Sequence, residues 1–485
     1  MRLHRFHSTV RPVTKEMWRA SATAQAAAVR TGELSAVEMT EQHLTRIARV
    51  NPTINAITQL LADRALEDAA EVDRRPAGPL AGVPFTVKEN LAVAGVPTTH
   101  GATRLRNLIA TADAPPVARL RAAGAIVIGH SNMPTLTLAG MHPRSELFGD
   151  TVNPWDPGRT PGGSSGGDGA AVATGMAALG LGNDSGGSVR IPAAFCGVAA
   201  LKPSYGRFPA DHRIGPADPG WCSQMFVVDG PLARTVEDLR TVYEVLAGTD
   251  PVDPRAVAMP LDGEPLPGPV RVAVVTDPGG LGVHPAVARA VGAAADALRD
   301  AGYLVEQVDD VPRLNDALRA YQQMVMTEFA PAWPSIRPLL GAGAHRYIEL
   351  GMAENPPVDA AEFLRLTGVR LGIQRAWGEF LQRFPLLLGP VFTEPPVEPG
   401  LESRDAAGRT AVTEAMRLCT ATSFLGLPAV AVPAGLQDGL PAGVQIVGRP
   451  YREDMCLTAA AAVEQRLGTL APIDPRQTWL APPST

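Results

Sequence analysis

A chain of 485 residues with 45% hydrophobic and 19% charged side chains has enough apolar material for a substantial core, which excludes a disordered protein. The formal net charge of −6 offers no basic surface for nucleic acid or anionic membrane, and no apolar run approaches the roughly 18 residues of a membrane span. Cys196, Cys222, Cys419 and Cys456 lack any C-x-x-C pairing, which argues against a zinc site or disulfide framework, and residues 1–13 show no signal-peptide core, so a cytoplasmic chain with buried thiols is expected.

Residues 14–75 read as helical. Ser35 and Glu38 form a capping box, followed by Met39, Leu44 and Ile47 on one face. After a turn at 76–78, Val83, Phe85 and Val87 alternate with Pro84, Thr86 and Lys88, which predicts a strand with Lys88 at its end, opposite the apolar face. A helix over 116–123, stopped by Gly124, leads into a buried strand at 125–128, and strand, helix, strand implies a parallel or mixed sheet. The loop 153–157 precedes a glycine-rich turn that opens an Ala/Gly-rich helix near 167–176, whose small side chains let it approach the sheet closely. Residues 251–268 are a surface connection. A strand at 270–275, a helix carrying Val287, Val291 and Leu298, and a strand at 304–308 make another βαβ-like unit. The stretch 312–383 is mainly helical, with Phe363, Leu366, Ile373, Trp377 and Phe380 spaced for one buried face. Strands at 429–432 and 444–447 and a helix at 453–467 complete an α/β fold.

Two features carry the chemistry. Of the 43 Lys and Arg residues only Lys15, Lys88 and Lys202 are lysine, and a lysine kept in such a chain can do what arginine cannot, namely release its proton. The segment 161–190 holds two Gly-Gly-Ser units, Gly162-Gly163-Ser164 and Gly186-Gly187-Ser188. Glycine turns let backbone N–H groups converge on an anion, and a serine in such a turn combines a nucleophile with an oxyanion site.

Gly163-Ser164-Ser165-Gly166-Gly167 also fits the G-x-S-x-G elbow of α/β-hydrolases, but a proline-rich loop stands where that motif needs a strand, and His212, His284 and His345 lie in no site motif. Neither nucleotide-binding glycine pattern is present with its spacing.

The stretch 161–208, with Asn183-Asp184-Ser185-Gly186-Gly187-Ser188-Val189-Arg190-Ile191-Pro192, Cys196-Gly197 and Leu201-Lys202-Pro203, closely resembles the signature of the amidase signature family. The similarity extends to 82–90, 230–235 and 439–445, and is weakest over 255–400. The resemblance implies one amidase-signature domain over 1–485: N-terminal helices at 14–75, a signature core at 80–250, a variable substrate-side region at 255–400 and a C-terminal part of the core at 401–485. Its fold is a large mixed β-sheet with helices on both faces.

By the same resemblance, Ser188 is the acyl nucleophile, Ser164 the bridging serine after a cis peptide eased by Gly163, and Lys88 the base. The backbone of Ser185, Gly186 and Gly187 through Ser188 forms the oxyanion hole. Ser165 braces the bridging serine through a hydrogen bond, Asp184 and Arg190 form a buried pair, and Lys202 is structural. Leu138 to Gly140 lies beside the scissile bond, where the lack of charge suits an uncharged substrate. Phe329, Trp333, Tyr347 and Trp377 help wall the substrate funnel.

The implied activity is hydrolysis of linear or aryl amides, or carbamates, with no metal and no organic cofactor. The implied partners are the small-molecule substrate and, at most, a second copy of the chain in a homodimer. Residues 138–146 lack the Thr-Glu-Asn of glutamine-using amidotransferase subunits, which leaves that role as the alternative. A silent binding protein is disfavoured because all three triad positions are filled.

Overall fold

The computed structural model describes residues 16–138 and 140–475; the expected lack of a signal peptide at 1–13 and Lys15 lie outside the described residues. Among the described residues thirteen strands follow in chain order: β1 (Ile57–Leu60), β2 (Pro84–Lys88), β3 (Ile126–Ser131), β4 (Arg144–Ser145), β5 (Gly149–Asp150), β6 (Leu179–Asp184), β7 (Ala199–Lys202), β8 (Val228–Ala233), β9 (Arg271–Val274), β10 (Leu304–Gln307), β11 (Leu386–Pro390), β12 (Ala429–Gln437) and β13 (Leu440–Gly448). β4 and β5 pair alone. The others form one 11-stranded sheet in the order β1-β3-β2-β6-β8-β7-β12-β13-β11-β9-β10.

The sheet is mixed. β3, β2 and β6 run parallel, the five neighbouring pairs from β6 across to β11 are antiparallel, and β11, β9 and β10 run parallel again. Side-chain alternation gives it two buried faces. Phe85, Val87, Val272, Val274, Leu386 and Leu388 pack with the helices Val236–Leu246, Pro285–Asp300 and Glu453–Leu467 on one face. Ile128, Ala200, Leu232 and Ala431 face the helices Ala36–Ile54, Gly166–Ala173 and Arg190–Cys196 on the other. Further along that second face, Ala273, Leu387 and Val447 meet the helices Leu314–Ile336, Ala360–Arg383 and Arg417–Leu425.

The expected helices and strands occur, with corrections at three places. Residues 57–60, read as helical, form the edge strand β1, antiparallel to β3. The glycine-rich helix ends at Ala173. The strands at 429–432 and 444–447 extend to nine residues each and pair as a hairpin through the turn at Asp438 and Gly439.

Small residues decide how the site is built. A Cβ on Gly180 of β6 would lie 2.8 Å from the Cβ of Asp168, and one on Gly182 would collide with Ser165. The Gly166–Ala173 helix therefore lies against β6 at a distance that only glycine permits. Thr86 reaches from β2 to the same helix, its hydroxyl donating to Asp168 Oδ1 at 2.7 Å.

Candidate active site

β2 and β6 are parallel neighbours, with Val87 opposite Leu181, so their C-terminal ends share one edge of the sheet. Lys88 ends β2 and Asn183 stands one residue before the end of β6. Lys88 points to the second face, as the alternation with Phe85 and Val87 requires, and is fully buried. Its Nζ donates to Ser164 Oγ at 2.7 Å and to Asn183 Oδ1 at 2.7 Å. Burial pushes the ammonium down to about 7 against the pull of Asp168, Asp184 and Asp229. Burial likewise raises the Asp168 carboxyl to about 6, against the bond it accepts from Thr86.

Ser164 follows a cis peptide from Gly163, and a Cβ at Gly163 would collide with the Met141 carbonyl. That carbonyl belongs to a loop held from below: Glu402 Oε1 accepts the N–H groups of Met141 (2.6 Å) and His142 (2.9 Å). The Ser165 side chain does not brace Ser164 directly. Its hydroxyl donates to the Asn183 carbonyl at 3.4 Å, and its backbone N–H donates to the Ser188 carbonyl at 3.1 Å, which links the two serine turns.

The second turn, Ser185–Val189, joins β6 to the Arg190–Cys196 helix. Asp184 sits inside it, accepting from Gly187 N–H (2.7 Å) and Val189 N–H (3.2 Å). Arg190 closes on the same carboxylate at 3.0 and 2.9 Å and also donates to Thr422, Ser423, Gln445 and the Cys419 carbonyl. Burial alone would raise the Asp184 carboxyl, yet the Arg190 charge and these bonds hold it well below the usual range. The expected buried pair is therefore present, and it bears on which backbone amides of the expected oxyanion hole are free. Gly187 N–H is committed to Asp184, while among the described residues Ser185, Gly186 and Ser188 have no protein acceptor for theirs. Gly187 remains necessary for its φ of 123° and because a Cβ there would lie 2.7 Å from Ile191 Cδ1.

Ser164, Ser188, Ser185 and Asn183 line a cavity of about 460 Å³, a size suited to a small organic molecule. Ser188 Oγ makes no hydrogen bond to Ser164 Oγ among the described residues; the two meet only as walls of this space. Leu138 lines it with Leu136, Val227, Phe329 and Ile336. Gly140 does not: it passes over Glu402 with φ 87°, where a Cβ would lie 2.5 Å from the carboxylate side chain.

Of the four aromatics expected to wall the funnel, Phe329 alone lines the cavity. Trp333 packs against the cluster of Leu136, Leu340 and Ala344, Tyr347 lies under the Arg409 guanidinium, and Trp377 is a core residue whose indole donates to the Pro312 carbonyl. Lys202 is structural: its Nζ donates to the Pro203 and Leu427 carbonyls, and burial lowers it to about 7 away from the cavity.

Sequence reasoning missed Asn183 as a ligand of Lys88 and Glu402 as the support of the Met141 loop. The signal for Asn183 was its place at the head of the 183–192 stretch that carries the resemblance; Glu402 had none.

No group of three or more His, Cys, Asp or Glu among the described residues is arranged to hold a metal ion. No helix among them is long and apolar enough to cross a membrane.

The family model for Amidase matches residues 38–457. The chain is 40% identical over 470 residues to an indoleacetamide hydrolase of Bradyrhizobium diazoefficiens, covering 94% of this chain and 88% of that one. It is 35% identical over 470 residues to a component chain of the glutamyl-tRNA(Gln) amidotransferase of Symbiobacterium thermophilum, covering 90% and 94%. Its fold superposes on 6-aminohexanoate cyclic dimer hydrolase with a TM-score of 0.83 at 29% identity, over 96% of this chain and all of the other. The chain belongs to the Amidase family, the amidase-signature hydrolases that act on amide C–N bonds.

Proposed function

We propose that this protein hydrolyses small uncharged amides through an acyl-enzyme on Ser188, with Ser164 and Lys88 as proton relay. The observation that carries this is the 2.7 Å hydrogen bond between Lys88 Nζ and Ser164 Oγ at the wall of the cavity that also holds Ser188. With its pKa lowered to about 7 by burial, Lys88 is available as a neutral amine. Its lone pair takes the Ser164 proton as Ser164 takes that of Ser188, and Ser188 Oγ attacks the carbonyl carbon. The oxyanion forms against the open amides of Ser185, Gly186 and Ser188. The relay then returns the proton to the leaving nitrogen, the C–N bond breaks, and amine or ammonia departs. Water, deprotonated by the same relay, attacks the ester and releases the carboxylic acid and Ser188.

Leu136, Leu138, Phe329 and Ile336 make the cavity apolar, which suits an aryl or alkyl acyl group. The 40% identity to an indoleacetamide hydrolase supports an arylacetamide within that class. Carbamates share the tetrahedral chemistry and fall inside the proposal. The test is intact-mass analysis of the protein after brief exposure to arylacetamides, anilides and aryl carbamates. An acyl adduct that maps to Ser188 and is absent from Ser188→Ala supports the reading; turnover by Ser188→Ala at the parent rate overturns it.

The 35% identity to an amidotransferase component favours a second reading, glutamine hydrolysis for a partner enzyme. Glutamine carries an α-carboxylate that needs a cation, and the cavity lining has neither Lys nor Arg among the described residues. Release of ammonia from glutamine at a rate matching that from arylacetamides would reverse the preference.

A further inference from the structure

Three wall residues of the cavity that holds Ser188 have left-handed backbones without being glycine: His100 (φ 51°), Leu136 (φ 54°) and Thr137 (φ 61°). This conformation is uncommon outside glycine and is worst for a β-branched residue such as Thr137. When such outliers gather at one site, the strain points to function. The two segments brace each other, the Leu136 N–H donating to the His100 carbonyl at 2.8 Å, and Gly101 continues the turn at φ 69°. The effect is to present the His100 imidazole on a wall otherwise made largely of Leu105, Leu136, Leu138 and Leu339.

Among the described residues the His100 ring has no protein hydrogen-bond partner, although the residue is only 6% exposed. It is one of the residues that line the cavity. Behind it stands His130, fully buried, with Nδ1 3.7 Å from Glu89 Oε2. Burial and the neighbouring His130 push the His100 imidazole down to about 4, so it is neutral near pH 7 and offers one lone pair and one N–H. Asn90, two residues after Lys88, also lines the cavity, and its buried Oδ1 has no hydrogen-bond partner among the described residues. Neither side chain takes part in the Ser188–Ser164–Lys88 relay. Buried polar groups left unmatched in an apolar wall are costly, and an occupant that matches them gains accordingly.

We propose that His100 is a specificity-determining residue, hydrogen-bonding through its imidazole lone pair to a neutral N–H or O–H that the substrate carries apart from the scissile amide. The favoured substrate is then an arylacetamide-type amide bearing such a donor, and a hydrocarbon isostere is discriminated against. The proposal rests on the Ser188 acyl-enzyme reading and deepens it.

The experiment compares kcat/KM for two matched pairs: indole-3-acetamide with 1-benzothiophene-3-acetamide, where sulfur replaces the ring N–H, and 4-hydroxyphenylacetamide with phenylacetamide. The parent enzyme is expected to favour the donor-bearing member of at least one pair by about tenfold or more, because a site built for a hydrogen bond rejects the analogue lacking it. His100→Gly, which relaxes the left-handed backbone, is expected to collapse that ratio toward one. His100→Asn, which tolerates the same backbone and keeps an acceptor, is expected to retain part of it. Equal rates within both pairs in the parent, or an undiminished ratio in both variants, would overturn the proposal. Failure of the parent to turn over either pair also overturns it, while a Ser188 adduct formed from other amides would leave the acyl-enzyme reading standing.

Discussion

Lys88 Nζ donates to Asn183 Oδ1 at 2.7 Å, across two parallel strands and between residues 95 apart in the chain. The same nitrogen reaches Ser164 at 2.7 Å. Asn183 thus acts as a neutral second anchor that fixes the direction of the amine without supplying a charge to keep it protonated.

The first prediction concerns that neutrality. Asn183→Ala should lower kcat on the order of 10²-fold by letting the Lys88 nitrogen drift. Asn183→Asp should instead move the alkaline-favoured limb of the pH profile upward, because a carboxylate at that position stabilises the ammonium. Steady-state rates of both variants between pH 5 and 10 check this; an unmoved limb in Asn183→Asp would show that Lys88 is not the titrating group.

A second prediction follows from Lys88 itself. With its pKa lowered to about 7, kcat/KM should rise with pH through about 7 and then level. Lys88→Arg should be as inactive as Lys88→Ala, because guanidinium stays protonated.

Stability carries the same signature. The folded pKa of about 7 lies below the ordinary 10.5, so the unfolded chain binds the extra proton between those values and Lys88 makes stability rise with pH across that window. Lys202, lowered to about 7, adds a slope of the same sign. Urea unfolding at pH 7 and pH 9 should show a smaller gain in Lys88→Met than in the parent.

The Asp184–Arg190 pair is fully buried, so removing one partner strands the other charge. Arg190→Met should destabilise the fold by roughly 3–5 kcal/mol. Adding Asp184→Asn to it should recover part of that loss while leaving activity low, since the acceptor that shapes the Gly187 turn is weakened. Chemical denaturation of the single and double variants measures both effects.

Glu402 supports the Met141 loop on which Gly163 rests. Glu402→Ala should cost roughly 1.5–3 kcal/mol for its lost charge-assisted bonds and reduce kcat more than it raises KM. Glu402→Gln, which keeps an acceptor, should restore most of kcat. Equal loss of kcat in both variants would mean that charge, and not the acceptor, is what the loop needs.

The sequence alone made much of this site legible, for local reasons. Glycine pairs before Ser164 and Ser188 mark turns that only glycine can make, the scarcity of lysine singled out Lys88, and the alternation of Phe85 and Val87 put Lys88 on the opposite face. Capping chemistry located the Ala36–Ile54 helix, whose Ser35–Glu38 box is present in full. Where local pattern was weak, the reading failed. Ile57–Leu60 is a four-residue edge strand inside a helical neighbourhood, and only pairing with β3 makes it a strand. Spacing identified Trp377 as buried but not what lies beyond its ring, so a core residue was taken for a cavity wall.

By itself, then, the sequence determined which residues compose the proposed triad, the glycine turns and the family, since each depends on residues close together or on one side chain's chemistry, whereas the central strands β6, β7, β8 and β11 were not legible in it. Only the tertiary structure decided that Asn183 anchors Lys88, that Asp184 claims Gly187 N–H, that Glu402 carries the Met141 loop, and that His100 faces the cavity while Gly140 does not. These are contacts between segments far apart in the chain. They exist because a mixed sheet brings particular strand ends to one edge, and residue spacing carries no record of which ends those are.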